Sequence, residues 1–147
     1  MTAGTAGKLY TNELLSLATE LSAFPLKGDW VLAGEARSRT CGSSIRIGIE
    51  QDDQGRIAKV GLAVTACAVG QAAATIFARE AHRKNADEIA TALEKIENWL
   101  EASDASAPQW PGFSALDAAR AHPGRHGALL LPWKAAVDAL CKAGDSR

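Results

Sequence analysis

Two alternating runs followed by an abrupt change of period constrain this chain more than any other feature. Ile45, Ile47 and Ile49 alternate with Arg46, Gly48 and Glu50, the period-two pattern of a strand with one buried face. Val60, Leu62 and Val64 alternate with Gly61, Ala63 and Thr65 in the same way. Asp52, Asp53, Gln54 and Gly55 form a turn between them, so the two runs pair as an antiparallel hairpin. Directly after Cys67 the spacing lengthens to that of a helix. Val69, Ala72, Ala73, Ile76 and Phe77 form one stripe. The small residues Ala72, Ala73 and Ala74 let that helix lie close against a sheet.

The rest of the chain fits around this unit. Thr11 is placed to cap a first helix carrying Leu14, Leu17, Ala18 and Leu21, which Pro25 and Gly28 end. Residues 29–40 read as extended. Asn85, with Glu88 three residues on, opens another helix whose stripe is Ile89, Leu93, Ile96 and Leu100. Residues 103–112 form a loop with two prolines. Ser114 and Asp117 start a short helix that Pro123 and Gly124 break. Leu129, Trp133, Ala136, Val137 and Leu140 mark a last amphipathic helix. Strands early and helices late predict an α+β fold, an antiparallel sheet with helices on one face. Residues 1–8 read as a flexible tail and residues 9–147 as a single domain, a length that suits one core.

Composition excludes several classes of function. The chain carries 16 basic and 17 acidic residues, a net charge of −1. That is no electrostatic footprint for nucleic acid or an anionic membrane. No apolar run approaches the roughly 20 residues of a membrane span. Residues 1–7 have no basic stretch leading into an apolar core, so no signal peptide is expected. Three cysteines are too few for a disulfide framework, which points to a reducing cytoplasm. No Walker loop, G-x-G-x-x-G, G-x-S-x-G or H-E-x-x-H run occurs.

The candidate chemistry lies in two cysteines. Cys41 precedes the first hairpin strand, in Thr40-Cys41-Gly42-Ser43, and Cys67 follows the second. Antiparallel pairing brings both to the hairpin's open end. A thiol at a helix N-terminus feels the helix dipole, which favours thiolate. Two neighbouring thiolates bind a soft metal or accept sulfur. The alternative is that both are small buried hydrophobes, a common fate of free cysteine. Cys141, beside Val137 and Leu140, reads as packing. His82 reads as a solvated group near a helix C-terminus. His122 and His126 flank Pro123, Gly124 and Arg125, and His126 is a candidate metal donor. Trp30, Trp99, Trp110 and Trp133 read as core or edge packing.

At these residues the sequence resembles the NifU-like, or IscU-type, iron–sulfur cluster assembly scaffold family. The likeness is carried by Cys41-Gly42 and the strand from Ile45 to Ile49. It continues through Cys67-Ala68-Val69, the helix with Ala72-Ala73-Ala74-Thr75, and the helix start at Asn85. It resumes towards the C-terminus around Arg125 and Leu131-Pro132-Trp133. The stretch after Cys67 is similar to the SufU branch. The resemblance implies a three-stranded antiparallel sheet with helices on one face. It implies a site of three cysteines and one aspartate that binds zinc or a nascent iron–sulfur cluster and accepts sulfur from a cysteine desulfurase. Cys41 and Cys67 match the first two cysteines. Ser43 stands where the family has its aspartate, and Ala128 where it has its third cysteine. The chaperone-recognition motif of the IscU branch is replaced by His122-Pro123-Gly124-Arg125-His126.

Three readings follow from the resemblance. In the first, the protein is a non-enzymatic scaffold or sulfur acceptor, with Cys41 and Cys67 holding metal, cluster or persulfide and Ser43 or His126 completing the shell. In the second, it is a degenerate homologue that partners the assembly machinery without carrying cluster. In the third, zinc only stabilises the fold.

Overall fold

The computed structural model describes residues 9–39, 42–102 and 104–145. The first helix, α1 (Asn12–Glu20), starts at Thr11, whose Oγ1 accepts the Leu14 N–H at 3.1 Å. A 3₁₀ turn, Leu21–Ala23, prolongs it. Three strands follow: β1 (Leu32–Arg37), β2 (Ser44–Gln51) and β3 (Ile57–Thr65). They form one antiparallel sheet in the order β1-β2-β3.

The register explains the burial. Leu32, Ile49 and Val60 align across the sheet, as do Gly34, Ile47 and Leu62, and Ala36, Ile45 and Val64. These rows make the inner face, with Ile45, Ile47 and Ile49 essentially inaccessible. Two of the four helices pack directly on that face, and the other two pack on those. Helix α2 (Ala68–Glu80) follows β3 directly, and its stripe from Val69 to Phe77 is buried as the spacing predicts. Helix α3 (Ala86–Glu101) opens with the expected capping box. Asn85 accepts the Glu88 N–H at 2.9 Å, and Glu88 accepts the Asn85 N–H at 3.1 Å. Helix α4 (His126–Asp145) packs on β1. The two meet so closely at Gly34 that a Cβ there would lie 2.4 Å from the Ala135 carbonyl oxygen. Phe77, Trp110, Phe113 and Trp133 join these helices in one aromatic cluster, with ring centroids 5.4–6.0 Å apart.

The outer face is covered at one end by residues 24–31. This segment leaves β3, where the Leu62 N–H donates to the Phe24 carbonyl at 2.8 Å, and crosses towards β1. Trp30 lies flat across Gly48 and Gly61, which are cross-strand partners. A Cβ on either would fall 2.3 or 2.5 Å from its ring. A glycine pair in two half-buried strands thus makes a slot for one indole.

The structure amends several expectations. The extended stretch at 29–40 becomes a strand only from Leu32, and Val31 is 89% exposed. Ser114 and Asp117 do not cap a helix. A 3₁₀ segment, Phe113–Ala121, begins behind Gly112, which has a left-handed backbone and no side-chain cap. That segment stops at Ala121, ahead of Pro123 and Gly124, the expected break. These two residues then open a 3₁₀ turn, Pro123–Arg125, that runs into α4, because proline at a first helical position needs no N–H partner. Cys141 is exposed rather than packed, although its neighbour Leu140 is buried. The expected tail at residues 1–8 lies outside the described residues.

Candidate functional site at the open end of the hairpin

Arg37, Ser44 and Thr65 are paired across the last row of the sheet. Beyond that row lie Ser43 on one side and Cys67 on the other, so both sit at the hairpin's open end. The β1–β2 connection is closed by the Ser38 N–H, which donates to the Ser43 carbonyl at 2.8 Å. Gly42 has φ +70°, a conformation glycine adopts without strain. Ser43 is buried. Thr40 and Cys41 lie outside the described residues.

Cys67 is the N-cap of α2, with extended backbone angles and no hydrogen bond from its side chain to the helix. Its thiol is half-buried at the edge of the core. Gln71 holds the turn that presents it. The Gln71 N–H donates to the Cys67 carbonyl at 3.0 Å, and its side-chain amide donates to the Ala66 carbonyl at 2.9 Å. Thr75 ties this part of α2 to α1 by donating to the Leu17 carbonyl at 2.7 Å. Sequence reasoning did not single out Gln71. The signal was present, since a polar side chain one turn into a helix with no apolar role needs a partner at the N-terminus.

Ala128 reaches the same end. It lies in the first turn of α4, fully buried, and a Cβ on Gly70 would be 3.3 Å from its methyl group. Gly70 is three residues after Cys67. Position 128 therefore packs on the first turn of the helix that Cys67 caps, and it offers a methyl group with no donor atom. Helices α2 and α4 approach this closely because Gly70 and Ala128 are both small.

His126 is the first residue of α4 and half-buried. Its Nε2 lies 2.8 Å from the Arg120 carbonyl oxygen. A carbonyl only accepts, so Nε2 carries the proton and Nδ1 holds the ring's lone pair. An imidazole anchored through one N–H to a backbone carbonyl is the usual support for a metal-binding histidine. Arg120 is itself fixed. Its guanidinium donates to the carbonyls of Trp99, in the last turn of α3, and of Ala102 and Ala105 beyond it, and it lies 4.9 Å from the Trp99 ring. His122 is half-buried in the preceding turn, and His82 is exposed at the other end of α2. Among the described residues, no three or more His, Cys, Asp or Glu side chains are grouped to hold a metal.

The chemistry open to this end of the molecule is that of one described thiol with a buried hydroxyl and a tethered imidazole on flanking elements. A thiol so placed accepts sulfur or binds a soft metal, but it falls short of the four ligands of a closed zinc site.

No family model matches the chain, and no curated protein sequence matches it. Solved structures do. The N-terminal part of a nitrogen-fixing NifU-like protein from Brucella abortus is 22% identical. It superposes with a TM-score of 0.88 over 97% of this chain and 99% of its own. The chain has the NifU-like scaffold fold. A putative iron–sulfur cluster assembly scaffold protein for the SUF system, from the thermophile Fervidobacterium islandicum, is 19% identical. Its TM-score is 0.77 over 90% of this chain and 96% of that one. A third structure, described as a hypothetical protein, gives a TM-score of 0.64 at 18% identity. The expected three-stranded antiparallel sheet with helices on one face is therefore the observed fold. Among the described residues no helix is long and apolar enough to cross a membrane.

Proposed function

We propose that this single-domain protein serves iron–sulfur cluster assembly as a non-enzymatic scaffold or sulfur acceptor in the cytoplasm. The observation that carries the reading is the coincidence of fold and thiol. A chain superposing at a TM-score of 0.88 on a NifU-like protein keeps a half-buried cysteine as the N-cap of α2, at the open end of the hairpin. Cys41 and Cys67 are the thiolates. Iron, zinc or a nascent cluster is cargo, with His126 Nδ1 and the Ser43 hydroxyl as supplementary donors. A cysteine desulfurase is the sulfur source. In that transfer the Cys67 thiolate attacks the terminal sulfur of the desulfurase persulfide. One S–S bond forms, the other breaks, and the desulfurase leaves as its own thiolate.

Anaerobic reconstitution with ferrous iron and sulfide tests this reading. The wild type is expected to develop a visible chromophore that Cys41→Ser and Cys67→Ser each abolish. A wild type that stays colourless and metal-free would overturn it.

A second reading rests on the buried methyl of Ala128 against Gly70, which stands where the resemblance implies a third thiol. Here the protein docks assembly partners without carrying cluster. Desulfurase binding would then survive the Cys41→Ser/Cys67→Ser double substitution, and its loss would remove this alternative.

A further inference from the structure

At the opposite end of the sheet from Cys67 lies a cavity of about 590 Å³, within the size range of small-molecule sites. It opens along the free edge of β3, and two clamps define it. At one end the Leu62 N–H is taken by the Phe24 carbonyl. At the other, the Ile57 N–H donates to the Lys84 carbonyl at 2.9 Å, and the Arg83 N–H donates to the Ile57 carbonyl at 2.7 Å. Residues 58–61 of the edge lie between the two clamps. A strand cannot be added there, because the stretch is short and blocked at both ends. Every second residue of a strand aims its peptide groups at the same edge. Val60 therefore turns its N–H and C=O the same way as Leu62, towards the cavity that it lines.

The walls have a definite chemistry. Phe24 and Trp30 supply apolar and aromatic surface. Lys27, Lys59 and His82 supply the charged or chargeable groups, and no carboxylate lines the cavity. Lys59 Nζ stands 5.6 Å from the centre of the Trp30 ring. Neither Lys27 nor Lys59 has a carboxylate partner among the described residues, whose ion pairs are Arg79–Glu20 and Lys142–Asp138. Two ammonium groups without a carboxylate partner, that of Lys59 over the Trp30 ring, suit a ligand with an anionic head and a flat apolar body.

We propose that this cavity is a binding site for a small aromatic or apolar anion, a carboxylate, sulfonate or phosphate. The site is separate from the thiol end and does not depend on the function proposed for it. The probe is 8-anilinonaphthalene-1-sulfonate, added to the folded full-length chain. Its binding is followed by fluorescence and by the indole N–H resonance of Trp30, assigned with Trp30→Phe. Saturable binding that shifts the Trp30 signal is expected. The exposed Lys27→Glu/Lys59→Glu double variant, checked for an unchanged melting temperature, should weaken binding by about tenfold or more. The neutral analogue N-phenyl-1-naphthylamine should bind correspondingly less well. The proposal is overturned by absence of binding, a Trp30 resonance that does not move, equal affinity in the double variant, or equal affinity for the neutral analogue.

Discussion

The two edges of this sheet are closed in different ways. At the β1 edge, side chains of α4 do the work. Asp138 accepts the Glu35 N–H at 3.0 Å, and Lys142 donates to the Ala33 carbonyl at 3.1 Å. The two side chains are also paired with each other at 3.2 Å, one turn apart. At the β3 edge, backbone does the work, through Phe24 at one end and Arg83 with Lys84 at the other. Both arrangements stop a bare edge from pairing with another chain. They differ in what remains. Side chains of α4 tie down β1, and a smaller cavity of about 470 Å³ beside them is lined by Ala33, Gly34, Glu35 and Lys142 among others. Two backbone clamps separated along β3 leave a gap between them, and that gap is the cavity. The larger of these two hollows thus lies where the cover of the edge is discontinuous.

Glycines at close approaches offer the strongest way to break this comparison. Gly34 faces α4, where an added Cβ meets backbone atoms of Ala135 and Ala139 at 2.4 and 2.6 Å. Helix backbone cannot move aside, so Gly34→Val is expected to cost about 3 kcal/mol by overpacking. Gly61 faces Trp30 and the Pro25 carbonyl, at 2.5 and 2.7 Å. There a single segment can lift, so Gly61→Val is expected to cost less, about 2 kcal/mol. That substitution should also raise the accessibility of Trp30 to an acrylamide quencher. Urea denaturation of the two variants checks the order. Equal costs, or a larger one at Gly61, would mean that the segment over the outer face is as rigid as α4.

The smallest expected effect sharpens the account of the β1 edge. The Glu35 N–H, with help from Lys142, holds the Asp138 carboxyl below its ordinary value of 3.8. A depressed folded-state pKa contributes stability above the unfolded value, and that contribution is lost as pH falls through the folded one. Asp138 is well exposed, so its share is under about 0.5 kcal/mol after solvent screening. Asp138→Asn should therefore lower the urea midpoint slightly at neutral pH. The difference from wild type should close as the pH drops below 3.8. A gap that widens in acid would contradict this sign.

Much of this architecture was legible in the residues. The alternation from Ile45 to Val64, the Asn85–Glu88 box and the Thr11 cap are local signals, and each element stands where its signal put it. Boundaries in proline- and glycine-bearing stretches were less legible. Pro123 and Gly124 mark the break after Ala121, but not the 3₁₀ turn that leads from it into α4. Cys141 shows the limit of helical spacing. Ala139 and Leu140 are buried and Lys142 reaches β1, yet Cys141 between them is exposed to solvent. At the thiol end, Cys67 sits where the change of period placed it. The partnership of Gly70 with Ala128 could not be read, because it joins helices 58 residues apart.

The sequence alone determined the parts whose causes are local: which runs alternate, which side chains cap, and where period two gives way to period 3.6. Tertiary structure alone decided the matters that depend on residues distant in the chain. Trp30 fills the slot of Gly48 and Gly61, Asp138 and Lys142 seal β1, and a gap stays open along β3. The physical reason is range. Propensity and capping act within a turn or two, whereas close packing and edge hydrogen bonds exist only after the chain has returned on itself.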